Sequence, residues 1–322
     1  MKTVFFKLAV IGWLLSEITS ASAFPDRVVR IVVPFSPGGV TDLAARFIGQ
    51  QLSTKWGQSV VIENRTGGAG IIGVGTVTGA EPDGHTLLMA TNGEFVVKPA
   101  ISAKLPYDWE RDLIPIAMVA STPYAWAAHS SSGIKSLQDL VSVAKAKPGH
   151  LAYSSAGYGS TMHMASEQFA LAADLKLLHV PYKGGAPAAA AVIAGEVPIG
   201  LLSTNSVGPL LDSRSAKLLG VTGRTRTKII PDVPTISETG LVKDFEATVW
   251  AGLFAPKGTP AAIVSQIEAD VRAALKDPAL MEKMEGMGID PGATSGAEMV
   301  KQIRAELAEM SKVAKESGVS LD

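Results

Sequence analysis

The stretch VVPFSPGGVTD, residues 32–42, decides how the rest of the chain is read. The run Val28 to Val33 is mostly β-branched, the pattern of a buried strand. Pro34 then removes a ladder donor. Ser36-Pro37-Gly38-Gly39 makes a tight turn, and Thr41-Asp42 can cap a helix that runs on as LAARFIGQQL. Strand, glycine turn and helix N-terminus in that order form a concave nest of backbone N–H groups. Such a nest binds anions without an arginine or lysine. The expectation is one half of a small-carboxylate site, with the other half in a second domain.

Working outward, the same unit recurs. Gln58 to Glu63 reads as a strand, Gly75 to Thr78 as a helix start, and Thr86 to Ala90 as a buried strand ending at Thr91-Asn92-Gly93. Polar residues just past a strand's carboxyl end are where open α/β sheets place ligands. Leu137 to Ala146 reads as a helix. Leu151 to Ser154 is a strand that runs into SSAGYGST (154–161) and the helix MHMASEQFALAA (162–173), capped by Ser160 or Thr161. Leu177 to Val180 leads through Pro181-Tyr182-Lys183-Gly184-Gly185 into PAAAAVIAG (187–195). Val197 to Leu202, ending at Ser203-Thr204-Asn205, and Lys217 to Thr222 are further strands. Strands alternating with helices imply parallel sheets covered by helices.

Two long apolar segments stand apart. Ile116 to Ala128, broken at Pro123, and Ala247 to Ala255 read as crossings between domains. Pro260 at the first position opens the helix 261–275, and Met299 to Ser317 forms a last helix. Both are expected on the first domain, which is then discontinuous: residues 24–124 plus 250–322, with 125–249 as the second lobe. The fold class is α/β, a bilobed clamshell of two doubly wound sheets joined by two crossing strands, with ligand between the lobes.

Composition limits function. The chain has 322 residues, 47% hydrophobic and 18% charged, with a net charge of −1. That length suits two domains, and there is no basic field for nucleic acid or an anionic membrane. There is no cysteine, which excludes thiolate metal sites and thiol nucleophiles. Lys2 and Lys7, the apolar run Leu8 to Leu15 and Ala21-Ser22-Ala23 make the three-part pattern of a secretory signal peptide (1–23) cleaved after Ala23. The product is expected in the periplasm, as a monomer.

The sharper chemical readings are weak. GAGIIG lacks dinucleotide spacing. The five histidines show no ligand spacing, and no metal or cofactor is called for. Ser155 or Ser160 with His163 suggests an exported serine hydrolase acting on small esters, but YSSAGYGST has no G-x-S-x-G elbow, and no catalytic residue is assigned. Asp42 reads as a helix cap, and Trp126 and Trp250 as core.

The motifs PFSPGGVTDLAAR (34–46), ENRTGGAGIIG (63–73), EPDGHTLL (81–88), LPYDWERDLIPIA (105–117), SSAGYGSTMHMASE (154–167), HVPYKGGAPA (179–188), GVTGRTR (220–226), PDVPTISETG (231–240) and WAGLFAPKGTP (250–260) fall in order over nearly all of residues 24–322. Together they resemble the substrate-binding proteins of the tripartite tricarboxylate transporter family, the Bug-type receptors. The resemblance implies a periplasmic two-lobed fold of the Venus-flytrap type and no catalysis. It implies a small organic acid as ligand (dicarboxylate, tricarboxylate or aromatic carboxylate) and a tripartite tricarboxylate permease or a sensor as partner. Carried over by position, it points to Phe35, Ser36, Gly38, Gly39 and Thr41, to Thr91 and Asn92, to Ser155, Ala156, Gly157, Ser160 and His163, and to Tyr182, Lys183, Gly184 and Ser203. Three departures stand out. GEVPIGLLSTN (195–205) lacks the family's aspartate, which disfavours an amino-acid ligand. Lys98 replaces a common asparagine, and Thr66 a common proline.

Overall fold

The computed structural model describes residues 24–213, 215–292 and 294–321, so the signal-peptide reading of residues 1–23 lies outside the described residues. The strands are β1 (Val29–Val33), β2 (Val60–Asn64), β3 (Thr86–Thr91), β4 (Leu113–His129), β5 (Ala152–Ser155), β6 (Leu178–Pro181), β7 (Ile199–Ser203), β8 (Ala216–Val221), β9 (Thr248–Pro256) and β10 (Asp290–Pro291). The helices are α1 (Val40–Trp56), α2 (Ile71–Thr78), α3 (Lys98–Ile101), α4 (Trp109–Asp112), α5 (Leu137–Ala146), α6 (Thr161–Ala172), α7 (Gly185–Ala194), α8 (Gly208–Ser213), α9 (Ala261–Ala274), α10 (Pro278–Glu285) and α11 (Gly296–Ser317), with a π-turn over Gly93–Val97 between β3 and α3.

The strands join into one mixed sheet in the order β2-β1-β3-β9-β4-β7-β5-β6. β2-β1-β3 and β7-β5-β6 are parallel sets, and antiparallel β9 and β4 lie between them. The two sheets expected from sequence are thus continuous through the crossing strands.

The inner strands β1, β3, β5 and β7 are largely buried on both faces, which explains continuous apolar runs in place of alternation. Ile31 and Val33 face a core with Ala44, Ile48 and Leu52 of α1 and Ile267 of α9. Val32 faces the other way, onto Val74, Phe254 and Met299. In the second set, Trp126 and Tyr153 pack on Phe169 of α6 and Leu137 of α5, while Ala127 and Leu202 pack on Val192 of α7. Full burial of such side chains contributes about 1.5–3 kcal/mol each. Trp126 and Trp250 are core, both wholly buried.

Several local expectations are corrected. β4 is not broken at Pro123. Its pairing with β9 ends at Pro123↔Thr248 and its pairing with β7 begins at Tyr124↔Ser203, so the missing N–H falls where the strand changes partners. Gly75 to Thr78 ends α2 instead of starting a helix. Pro260 is the N-cap of α9, one position before its first residue. α11 does not pack only on the first lobe. It opens with a Ser295–Glu298 capping box, and Gln168 Nε2 of α6 donates to its Glu309 Oε1 (2.7 Å). Its Val313 and Ala314 share a cluster with Met164 of α6 and Ile101.

Candidate functional site

The β1–α1 corner is braced by a buried carboxylate. The N-cap of α1 is Gly39, with no side-chain cap, so Thr41-Asp42 does not cap the helix as expected. Asp42 instead reaches back from the first turn. It accepts from Gly38 N (3.0 Å), Arg46 Nε (2.9 Å) and Asn64 Nδ2 (3.0 Å). Burial pushes the Asp42 carboxyl up, but the Arg46, Gly38 and Asn64 hydrogen bonds outweigh that and hold it below the usual carboxylate range. Gly38 N–H is therefore already satisfied. The N–H groups left outside the helical ladder are those of the first turn, Val40 and Thr41 among them. Ser36, Gly38 and Gly39 are exposed, Phe35 is half-buried with its carbonyl accepting from Asn64 Nδ2 (2.9 Å), and Thr41 is buried.

The β5–α6 corner uses neutral groups. Ser160 caps α6 as expected, its Oγ accepting from His163 N (3.1 Å). His163 is 2% exposed. Its Nδ1 accepts from Gly159 N (3.1 Å), and its ring stacks on His179 at 3.8 Å. It lies under the loop as a brace. Burial and then His179 push the His163 ring down to about 3, and burial pushes His179 down to about 4. His179 Nε2 meets Ser155 Oγ at 2.7 Å. That serine–histidine pair has a nucleophile's geometry, but Ser155 is wholly buried and its hydroxyl also accepts from Gly157 N (3.2 Å).

The second-lobe residues singled out from sequence come together. Tyr182 N donates to Ser155 O (3.0 Å) and Gly184 N to Ala156 O (3.2 Å), and a Cβ on Gly157 (φ +128°) would lie 3.2 Å from Tyr182 O. Lys183 is exposed. The half-buried Tyr182 turns its hydroxyl toward Glu196 Oε2 (3.4 Å).

Contacts between the lobes run through both helix starts. Val40 packs against the cores of both lobes. A Cβ on Gly93, just past β3, would lie 3.4 Å from Thr161 Cγ2 at the start of α6. Around this junction are buried polar atoms without a well-formed hydrogen bond: Thr122 Oγ1, Tyr124 Oη and Ser203 Oγ. Tyr124 is wholly buried, which raises its phenol well above the usual range, while the Thr161 hydroxyl draws it back. Unsatisfied buried polar groups cost roughly 1–3 kcal/mol each, so a gathering of them at a lobe junction points to a polar occupant.

Thr91 is fixed by Glu94, whose Oε2 accepts from Thr91 N (3.1 Å) and Thr91 Oγ1 (2.8 Å). Lys98 Nζ donates to the other oxygen of this fully buried carboxylate (2.8 Å). The lysine that departs from the family pattern is thus the partner of a buried acid. A Cβ on Gly70 would meet Glu94 Oε1 at 2.7 Å, which explains a glycine there. Thr161, Tyr124, Glu94 and His179 were missed from sequence. The signal for Thr161 was its place directly after a Ser cap; the other three sit in apolar or unremarkable contexts.

A pocket of about 650 Å³ lies beside this junction and not on the glycine loops; it is lined by Asn92 and Thr161 and runs back between α6 and α11.

A family model described as a tripartite tricarboxylate transporter family receptor matches residues 44–319. A protein from the tcbD–tcbE intergenic region of Pseudomonas sp. (strain P51) is 38% identical over 83% of this chain and 79% of its own. BugT of Bordetella pertussis is 30% identical over 98% of each. Among solved structures, Rpa4515 of R. palustris with adipate is 34% identical with a TM-score of 0.83, over 92% of this chain and 99% of that one. MatC of Rhodopseudomonas palustris with bound malate is 30% identical with a TM-score of 0.77, over 90% and 99%.

Proposed function

The chain belongs to the tripartite tricarboxylate transporter receptor family, and on that footing we propose that it is an exported receptor that binds a small dicarboxylate between its lobes and presents it to a tripartite tricarboxylate permease. The observation that carries this reading is the placement of two helix N-termini, α1 with Val40 against both cores and α6 with Thr161 against the end of β3. Each brings uncompensated N–H groups and the positive end of a helix dipole. Two such ends on opposite lobes suit a ligand with a carboxylate at each end.

The donors in this reading are the first-turn N–H groups of α1 and α6, with the hydroxyls of Ser36, Tyr124 and Ser203. Phe35, Gly39, Ala156, Gly157 and Gly184 shape the walls. Ser203 stands where an acid would greet a ligand ammonium, so a simple dicarboxylate fits better than an amino acid. Adipate and malate in the relatives support that class. Residues 24–124 plus 250–322 and residues 125–249 are the lobes that would close, and the leader 1–23 would direct the chain to the periplasm.

The test is a calorimetric and thermal-shift screen of the chain from Phe24 against adipate, malate, citrate, benzoate, glutamate and acetate. The expected result is one-to-one binding of a dicarboxylate, with stabilisation that grows with the logarithm of its concentration. No response to any organic acid, or turnover of a p-nitrophenyl ester that Ser155→Ala abolishes, would sink it.

A further inference from the structure

The pocket of about 650 Å³ between α6 and α11 has a chemistry opposite to that expected of the glycine loops. Its volume lies in the range of small-molecule sites. It carries the carboxylates of Glu246, Glu306 and Glu309 along with Asp244, against Arg224 and Lys243. Arg224 is already spent, since its Nε donates to Glu246.

Glu306 is the inner member. It accepts from Trp250 Nε1 (2.9 Å) and Gln302 Nε2 (2.7 Å), so neither partner brings a formal charge. Burial first, then Glu246 and Glu309, raises its carboxyl above the usual range against those hydrogen bonds. An independent feature lies in the same lining: Asn92 is 8% exposed, its Nδ2 is used on Thr248 O (2.8 Å), and its Oδ1 accepts nothing. A buried carboxyl with no cationic partner and an open amide acceptor thus share one pocket. Its remaining walls include Val96, Val97, Phe245 and Met310, which suit an alkyl chain.

We propose that this pocket is a second ligand site, distinct from the carboxylate junction, that takes a small aliphatic amine or diamine as its ammonium form. A bare metal ion fits poorly, because among the described residues no group of three or more His, Asp or Glu stands close enough to hold one. An ammonium donates hydrogen bonds, compensates Glu306, and carries a chain for the apolar walls. The walls come from α6 on one side and α11 with the π-turn on the other, tied by the Gln168–Glu309 bond.

The experiment is isothermal titration of 1,4-diaminobutane into the wild type, Glu306→Gln and Ala305→Phe, with n-butanol as the uncharged control. Ala305 lines the pocket, and its enlargement blocks the space without touching a charge, so it carries the test if Glu306→Gln does not fold. The expected result is saturable one-to-one binding in the wild type, at least tenfold weaker in each variant, and none with n-butanol. No saturable binding, equal binding in all three proteins, or equal binding of n-butanol overturns the proposal. None of these readouts uses a carboxylate, so failure here leaves the receptor reading standing, and the reverse.

Discussion

The β1–α1 and β5–α6 corners pose the same local problem, and the chain solves it twice with different chemistry. Both hold a glycine turn ahead of a helix start. The first is tied from below by an ionised group, Asp42, shared among Gly38 N, Arg46 and Asn64. The second is tied by a neutral stack, His163 on His179, which accepts from Gly159 N and meets Ser155 Oγ. An ionised brace draws on charge-assisted bonds, whereas a neutral brace holds only while its rings stay unprotonated.

The largest expected effect comes from breaking the ionised brace. Asp42→Ala takes one acceptor from the half-buried amide of Asn64, unties the N–H of Gly38 and removes the partner of Arg46. The expected loss is about 3 kcal/mol, read from urea midpoints; a loss below half that would mean the corner relaxes without it.

Acid tests the contrast directly. The folded values for His163 and His179, about 3 and about 4, lie below the ordinary value of 6.5. The stability they support is whole above pH 6.5 and drains away as pH falls toward 4 and then 3. A single such ring accounts for about 2 kcal/mol between pH 6.5 and 5. Asp42, held below its ordinary 3.8, loses its contribution only in more acid solution. Amide resonances of 155–163 are therefore expected to hold between pH 7 and 5 and to shift and broaden as pH falls through 4, before those of 35–42 move. If both corners moved together, the contrast would fail.

Glycine substitutions sharpen the comparison further. Both Gly38 and Gly157 have positive φ, at +93° and +128°. Only Gly157 is also crowded, by Tyr182 O, while a Cβ on Gly38 meets nothing within 4 Å. Gly157→Ala is expected to cost about 2 kcal/mol and Gly38→Ala about 1 kcal/mol, with adipate affinity falling more in the former. Reversed order in a titration series would place the ligand nearer the first corner. Ser160→Ala is expected to cost no more than Gly38→Ala, about 1 kcal/mol of helix capping, with any ester turnover unchanged because Ser160 serves His163 N.

Much of this was legible in the sequence for physical reasons. Doubly buried strands such as Val29–Val33 announce themselves as unbroken apolar runs, and Ser160 read correctly as a cap because hydroxyl caps act within three residues. The braces were not legible. Asp42 has an apparent local role as a cap, and only its distant partner Asn64 shows that it ties the turn instead. His163 looked like a possible ligand contact until His179, sixteen residues on, filled its exposed face. Lys98 stood out as a departure from the family pattern, yet its meaning lies in Glu94, one helical turn back and wholly buried. The last helix starts at Gly296, three residues before the expected Met299, because Ser295 and Glu298 form a capping box.

Pro123 has a mechanical consequence. At the handover of β4 from β9 to β7, the ladder gives way to threonine hydroxyls: Tyr124 N donates to Thr222 Oγ1 (2.8 Å), and Thr204 Oγ1 donates to Pro123 O (3.0 Å). A hydroxyl swivels about its C–O bond, whereas a ladder amide is fixed in the peptide plane. The long strand thus passes from one lobe to the other through a step whose bonds are shared with side chains, with backbone rows on either side.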